Sequence, residues 1–440
     1  MSPPLRDGAR PLPNGDPPRV VAWSFYDFAN SSFTTLVVTF VYATWFTRRM
    51  APDEAAGTAL WSWGITISAL LIAVLGPVLG ARADRRASRV AWFRGLTLGT
   101  IVLTAALAAV APPRWLPALV LFVAANTCYE LAGAFYNAFL PSVAPPGRTG
   151  RVSGRAWALG YAGGLLCLAA GLWLVNAGPL PREGDLHVRA TNLLVAGWFL
   201  AFSLPALLLL REPAPPDPEA EAGFARAVAA FRRLRRFPHV LRLLVARLVY
   251  NDGLVAIFSF GGIYAAGTFG FSLNEIILFG IVLNVAAGAG AFLLGHLDDR
   301  LGARPTILLT LAGLTLATTW AVLARGRAGI WGAGILIGLL VGPNQSSSRS
   351  LMSRLVPSPL SAEFFGLYAL SGKLTSFLGP FVLGRLTGWT GSQRVGVASL
   401  VLFFVVGGVL LLGVREEEGA AAARAAEGAL ATGGAPGEPR

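Results

Sequence analysis

Twelve long apolar runs dominate this chain of 440 residues. They fall near 20–46, 58–81, 90–111, 115–140, 154–177, 191–210, 240–267, 273–296, 305–324, 329–348, 362–388 and 395–414, and are numbered here as spans 1 to 12. Charge or clusters of Pro and Gly bound each run. About 20 apolar residues cross a bilayer as a helix, so each run is long enough for one crossing. None alternates like a barrel strand, and backbone in lipid must satisfy its own hydrogen bonds, which leaves helices. Composition agrees: 54% of the residues are hydrophobic and 13% charged, against about 25% charged in a soluble domain. A large soluble enzyme and a disordered chain are both excluded. The expected fold class is an all-α polytopic membrane protein with twelve transmembrane helices.

Arginine and lysine orient such a protein. Taken over alternate connections from the N-terminal tail, one side collects 25 of the 36 basic residues and the other nine. Arg349 and Arg354 are counted on the richer side; Arg247 and Lys373 fall inside runs. Both termini are therefore expected in the cytoplasm of a cell-membrane protein, which demands an even number of spans. No cleavage site follows the first run, so that run is expected to remain as a span. A Pro-rich break after Arg211 divides the chain into a six-span half at 20–211, a linker at 212–238 and a second half at 239–415. The linker's second part places Phe224, Val228, Phe231 and Leu234 on one helical face with four arginines opposite, as in an interfacial helix on an anionic leaflet. The tails at 1–19 and 416–440 are expected to be disordered.

The two halves repeat a loop signature after their second span. Gly80, Asp84, Arg85 and Arg89 recur as Gly295, Asp299, Arg300 and Arg304, about half a chain apart. The second copy also has Gly302 where the first has Ala87. This pair resembles the loop motif of the major facilitator superfamily. Trp23 through Phe33, Gly150 to Gly154 with Ala158 to Gly164, the run Tyr250-Asn251-Asp252-Gly253, and Glu363 to Tyr368 with Ser371-Gly372-Lys373 are similar to its vacuole-effluxer-like branch. The resemblance runs from span 1 to span 11. It implies two six-helix halves in the major facilitator fold, working as a secondary transporter by alternating access. It also implies that spans 1, 4, 7 and 10 line a central cavity. The gating set is then Gly80, Asp84, Arg85, Gly295, Asp299 and Arg300, each aspartate meeting a helix N-terminus of the opposite half. Eukaryotic relatives are described as effluxers of amino acids, which puts amino acids among the candidate solutes.

Charges at mid-bilayer cost about 2.5–3.5 kcal/mol on the lenient scale and should face a cavity or a partner. Glu130, Asp252 and Lys373 lie near the middle of their runs, and Asp27 is nearer the cytoplasmic end. Asp27, Glu130, Asp252 and the Asn344-Gln345 pair fall on the four cavity-lining spans. With Asn30, Asn126, Tyr129, Asn251 and Lys373 they form the candidate substrate and ion site. A carboxylate in a dry cavity favours its protonated form, so a coupling proton is expected. Asp252 with Lys373, or Glu130 with Arg155, could instead pair for packing. Arg247 could snorkel to the membrane surface. Cys128 and Cys167 read as small buried hydrophobes, and the three histidines lie in or beside loops. With no metal cluster, P-loop, triad or nucleotide-binding domain in the sequence, no cofactor, no nucleic acid and no enzymatic activity are expected. Expected partners are a small-molecule solute, a proton and membrane lipid, around a monomer. A non-transporting receptor of the same fold and a lipid flippase are the competing readings.

Overall fold

The computed structural model describes residues 15–212 and 232–431, and the fold is a two-half bundle of helices. Among the described residues nine helices are long and apolar enough to cross a membrane: Ala56–Arg86, Arg89–Leu107, Trp115–Val143, Thr149–Asn176, Glu183–Leu209, Pro238–Phe269, Asn274–Leu301, Ala303–Leu323 and Gln393–Leu412. These are spans 2 to 9 and span 12. The other three complete the twelve, and each is polar or interrupted. Span 1 is an α-helix over Pro17–Ser32 and then winds as a wider π-helix over Phe33–Phe40. Span 10, Arg327–Leu355, carries Pro343 and a polar run from Asn344 to Arg349. Span 11 is split into Ser361–Ser371 and Leu378–Thr390. Discontinuous helices in transporters mark the binding region, and these three spans carry Asp27, Arg349 and Lys373.

Glycines let the halves touch. A Cβ on Gly80 would stand 2.4 Å from the Ala362 carbonyl oxygen, and one on Gly366 2.7 Å from that of Gly76, so span 2 lies directly on the first piece of span 11. Gly154 would meet the Ala291 carbonyl oxygen at 2.3 Å, and Gly295 that of Gly150 at 2.8 Å, so spans 5 and 8 meet in the same way. The repeat thus sets one close contact on each side of the pseudo-twofold. It also sets the turn three residues after each aspartate. Gly302 has φ +98° and Ala87 has φ +46°, so both copies need positive φ there although only one has glycine.

One expectation about the ends changes. The C-terminal segment is not a disordered tail from 416, because Glu416–Ala431 is a helix with Ala423 and Ala426 buried. Three of its four glutamates, Glu416, Glu418 and Glu427, have partners that its low complexity concealed. Most of the basic helix expected at 224–237 lies outside the described residues; Arg232 to Leu234 form one helical turn leading to span 7.

Candidate transport site between the two halves

On the termini side, each of the two repeated aspartates bridges the halves. Asp84 accepts the Ala362 and Glu363 backbone N–H groups at 3.3 and 2.9 Å, at the start of Ser361–Ser371. Asp299 accepts those of Gly150 and Arg151 at 2.7 and 3.2 Å, at the start of span 5. A carboxylate at a helix N-terminus satisfies orphan donors and the helix dipole together. Arg89 binds Asp84 and donates to the Ser358 carbonyl at 2.7 Å. Arg354 binds Asp298 and reaches Asp299 at 3.6 Å. These cations, with Arg151, pair with the bridging aspartates, while Arg85 is half-buried and Arg300 exposed.

Deeper in, Arg349 crosses from span 10 into the first half. Its guanidinium donates to Asp27 Oδ2 at 2.9 Å, to Asn137 Oδ1 at 3.3 Å, and to the hydroxyl and carbonyl of Ser153, both at 2.9 Å. The rings of Trp23, Tyr136 and Trp157 surround it at 4.8, 5.6 and 5.7 Å. Its side chain is 4% exposed. The sequence places Arg349 among the loop cations because it lies near the end of an apolar run, but span 10 runs on to Leu355. The signal was the five polar residues Asn344 to Ser348 before it, which prolong a helix that hydropathy ends too early.

At mid-depth Lys373 pairs with Glu130 at 2.7 Å, again across the halves. This corrects two pairings. Lys373 does not neutralise Asp252, because it starts the break in span 11 and leaves the axis toward span 4. Arg155 is exposed on span 5 and leaves Glu130 to the lysine. The lysine and glutamate side chains are 41% and 20% exposed, so neither is enclosed by the bundle. Tyr129 stacks on Phe33 at 4.9 Å beside it.

Span 7 fastens the break. Arg247 is buried, stacked on Tyr368 at 3.9 Å, and donates to the Tyr368 carbonyl and the Ser371 hydroxyl, both at 3.0 Å. It caps the C-terminal end of Ser361–Ser371 and does not snorkel. Asn251 Nδ2 donates to the Gly372 carbonyl at 3.1 Å and its Oδ1 accepts from Gln345 at 3.2 Å. Thr375 donates toward Asp252 Oδ1 and the Leu248 carbonyl, at 3.1 and 3.2 Å. Asp252 Oδ2 is buried and unpaired. Asn30 lies 3.4 Å from Asp27 Oδ1, and Asn126 is buried in span 4. Asn344 is fully buried and bonds Thr310 of span 9 at 3.0 Å, so it packs within its own half and does not face the cleft.

The family described as Vacuole effluxer Atg22 like matches residues 49–149 and 144–424. The chain belongs to this family. It is a major facilitator superfamily transporter of the Atg22-like branch, not an enzyme. An uncharacterised transporter of that superfamily from Bacillus subtilis, YxiO, is 27% identical over 90% of this chain and 94% of its own. Autophagy-related protein 22 of Coccidioides immitis is 25% identical over 61% of this chain and 49% of its own, so the chain spans about half the length of that fungal relative. Among solved structures, the superfamily transporter FucP in its outward conformation matches with TM-score 0.74 at 14% identity, over 91% of this chain and 99% of that one. This Atg22-like chain has its two halves bonded together at the termini side and at mid-depth. The far ends are tied within each half: Trp45 and Arg49 to Asp185, and Arg327 to Glu275.

Proposed function

We propose that the chain is a secondary active transporter that moves a small polar solute through the cleft between its halves, driven by protons. It would sit in the cell membrane with both termini cytoplasmic, the side richer in arginine. The observation that carries the reading is the half-exposed Glu130–Lys373 pair at mid-depth, linking the halves above two closed gates. A solute with its own charges can replace either partner of that pair at little cost. Release to the termini side then requires the pair, the Arg349 cluster and both gates to part. Amino acids fit such a site, since they carry one charge of each sign. FucP of E. coli, a fucose:proton symporter, is a precedent for proton coupling on this fold.

Asp252 is assigned the coupling proton. The Thr375 hydroxyl has one hydrogen and two acceptors, Leu248 O and Asp252 Oδ1. The count closes when Asp252 itself donates to Thr375. An ionised carboxylate with one oxygen buried and unpaired would be costly there. The test is a screen of labelled small polar solutes on reconstituted protein, with and without a proton gradient. A solute should accumulate faster with the gradient; Asp252→Asn should lose that stimulation and keep counterflow. Gradient-stimulated uptake at the wild-type rate in Asp252→Asn would overturn the assignment. No uptake of any solute would overturn the transport reading.

A further inference from the structure

The helix Glu416–Ala431 touches both gates. Near its start, Glu416 accepts the backbone N–H groups of Ala303 and Arg304 at 3.2 and 2.8 Å and binds Arg354 at 2.6 Å. Arg354 is the cation on Asp298 and Asp299, and Asp299 holds span 5 of the first half. Eleven residues later, Glu427 accepts the Ser358 N–H at 2.7 Å. The carbonyl of Ser358 is the one gripped by Arg89 of the first half. Eleven residues of helix span about 16 Å, the reach needed to join the two sites as one rigid piece.

The stretch between them is seated. Gly419, Ala423 and Ala426 are buried at three- and four-residue spacing on one face. A Cβ on Gly419 would stand 2.4 Å from the Leu355 side chain and 3.1 Å from His239. His239 also accepts the Arg415 N–H at 3.1 Å and lies 3.4 Å from Glu418. The helix therefore clamps the ends of spans 7 and 10, the start of span 9 and the approach to span 11. The aspartate and arginine gate contacts are made by these same segments of the second half.

We propose that this C-terminal helix is a strap that holds the termini-side gates shut, so that its release sets how readily that side opens. Its acidic ends fix the positions of Arg354 and Ser358, and these fix the contacts the first half makes with them. Freeing either end leaves the gates their own bonds but removes their common support. The strap does not depend on which solute moves.

Spin labels at Arg86 and Leu301, exposed ends of spans 2 and 8 in opposite halves, report the gate by pulsed distance measurement in the reconstituted full chain. Glu416→Gln, Glu427→Gln and the pair are compared with Glu417→Gln, whose side chain is exposed. The expected result is a several-fold rise in the long-distance population for the first three, largest in the pair, and none for Glu417→Gln. Thermal melting of each variant distinguishes release from unfolding. Melting as wild type with an unchanged distance distribution in the double variant would overturn the strap. Because the readout is a distance, failure of the transport reading would leave it intact, and the reverse holds too.

Discussion

Arg349 bonds from span 10 to three residues of the first half, Asp27, Asn137 and Ser153. It brings a full charge into a cage of three rings, one carboxylate and the Ser153 oxygens. Removing one partner of such a pair leaves a buried uncompensated charge, which costs about 3–5 kcal/mol, while removing both costs less. Arg349→Met and Asp27→Asn should each lower thermal stability sharply, and the double variant should recover part of the loss. Additive losses would show that the two do not act as a pair. For Glu130 and Lys373, both partly solvated, the same cycle should give a coupling of only about 1 kcal/mol, as for exposed pairs. Asp27, Glu130 and Lys373 were legible as charges inside apolar runs, which are costly unless used. Their partners were not, because sequence spacing gives depth along a helix but not the neighbouring helix a side chain faces. Lys373 and Asp252 share a depth, yet the break in span 11 turns the lysine toward span 4.

At the scale of elements, apolar runs located the twelve spans, with span 10 running seven residues beyond its run, and the repeat of Gly80 and Asp84 in Gly295 and Asp299 marked two contacts between the halves. The turn at Ala87 departs from its copy and is strained: an L-residue in the left-handed region costs about 1–2 kcal/mol. Ala87→Gly should raise the melting temperature, with a gain of roughly 0.5–1 kcal/mol, and leave the span 2 contact unchanged. A lower melting temperature would show that the alanine methyl packs usefully there. The breaks were hidden for a physical reason. Apolar residues on both sides, with Leu374 between them, carry the run of span 11 across Ser371, Gly372, Lys373, Thr375 and Ser376, where the helix stops. Its carbonyls are satisfied by Arg247 and Asn251 from a distant part of the chain. A second repeat also went unread: Arg211-Glu212 and Arg415-Glu416 end the two halves, and their glutamates accept the Val90 and the Ala303 and Arg304 N–H groups at the starts of spans 3 and 9. Two residues are too few to stand out until the folded chain shows both copies doing one job.

For the whole molecule, orientation and access can be measured separately. A cysteine at Glu183 should react only from outside the cell and one at Pro218 only from inside, in a background lacking Cys128 and Cys167; the opposite pattern would reverse the orientation. The central claim is that solute passes between two halves that must part on the termini side. A cysteine pair at Tyr161 and Gly288 tests it most directly, since a Cβ on Gly288 lies 3.4 Å from the Tyr161 Cβ with nothing nearer, close enough for a disulfide between spans 5 and 8. Uptake into proteoliposomes should stop when this pair is oxidised and return to the reduced rate when a reductant is added. Full-rate uptake by protein shown to be cross-linked would contradict the account.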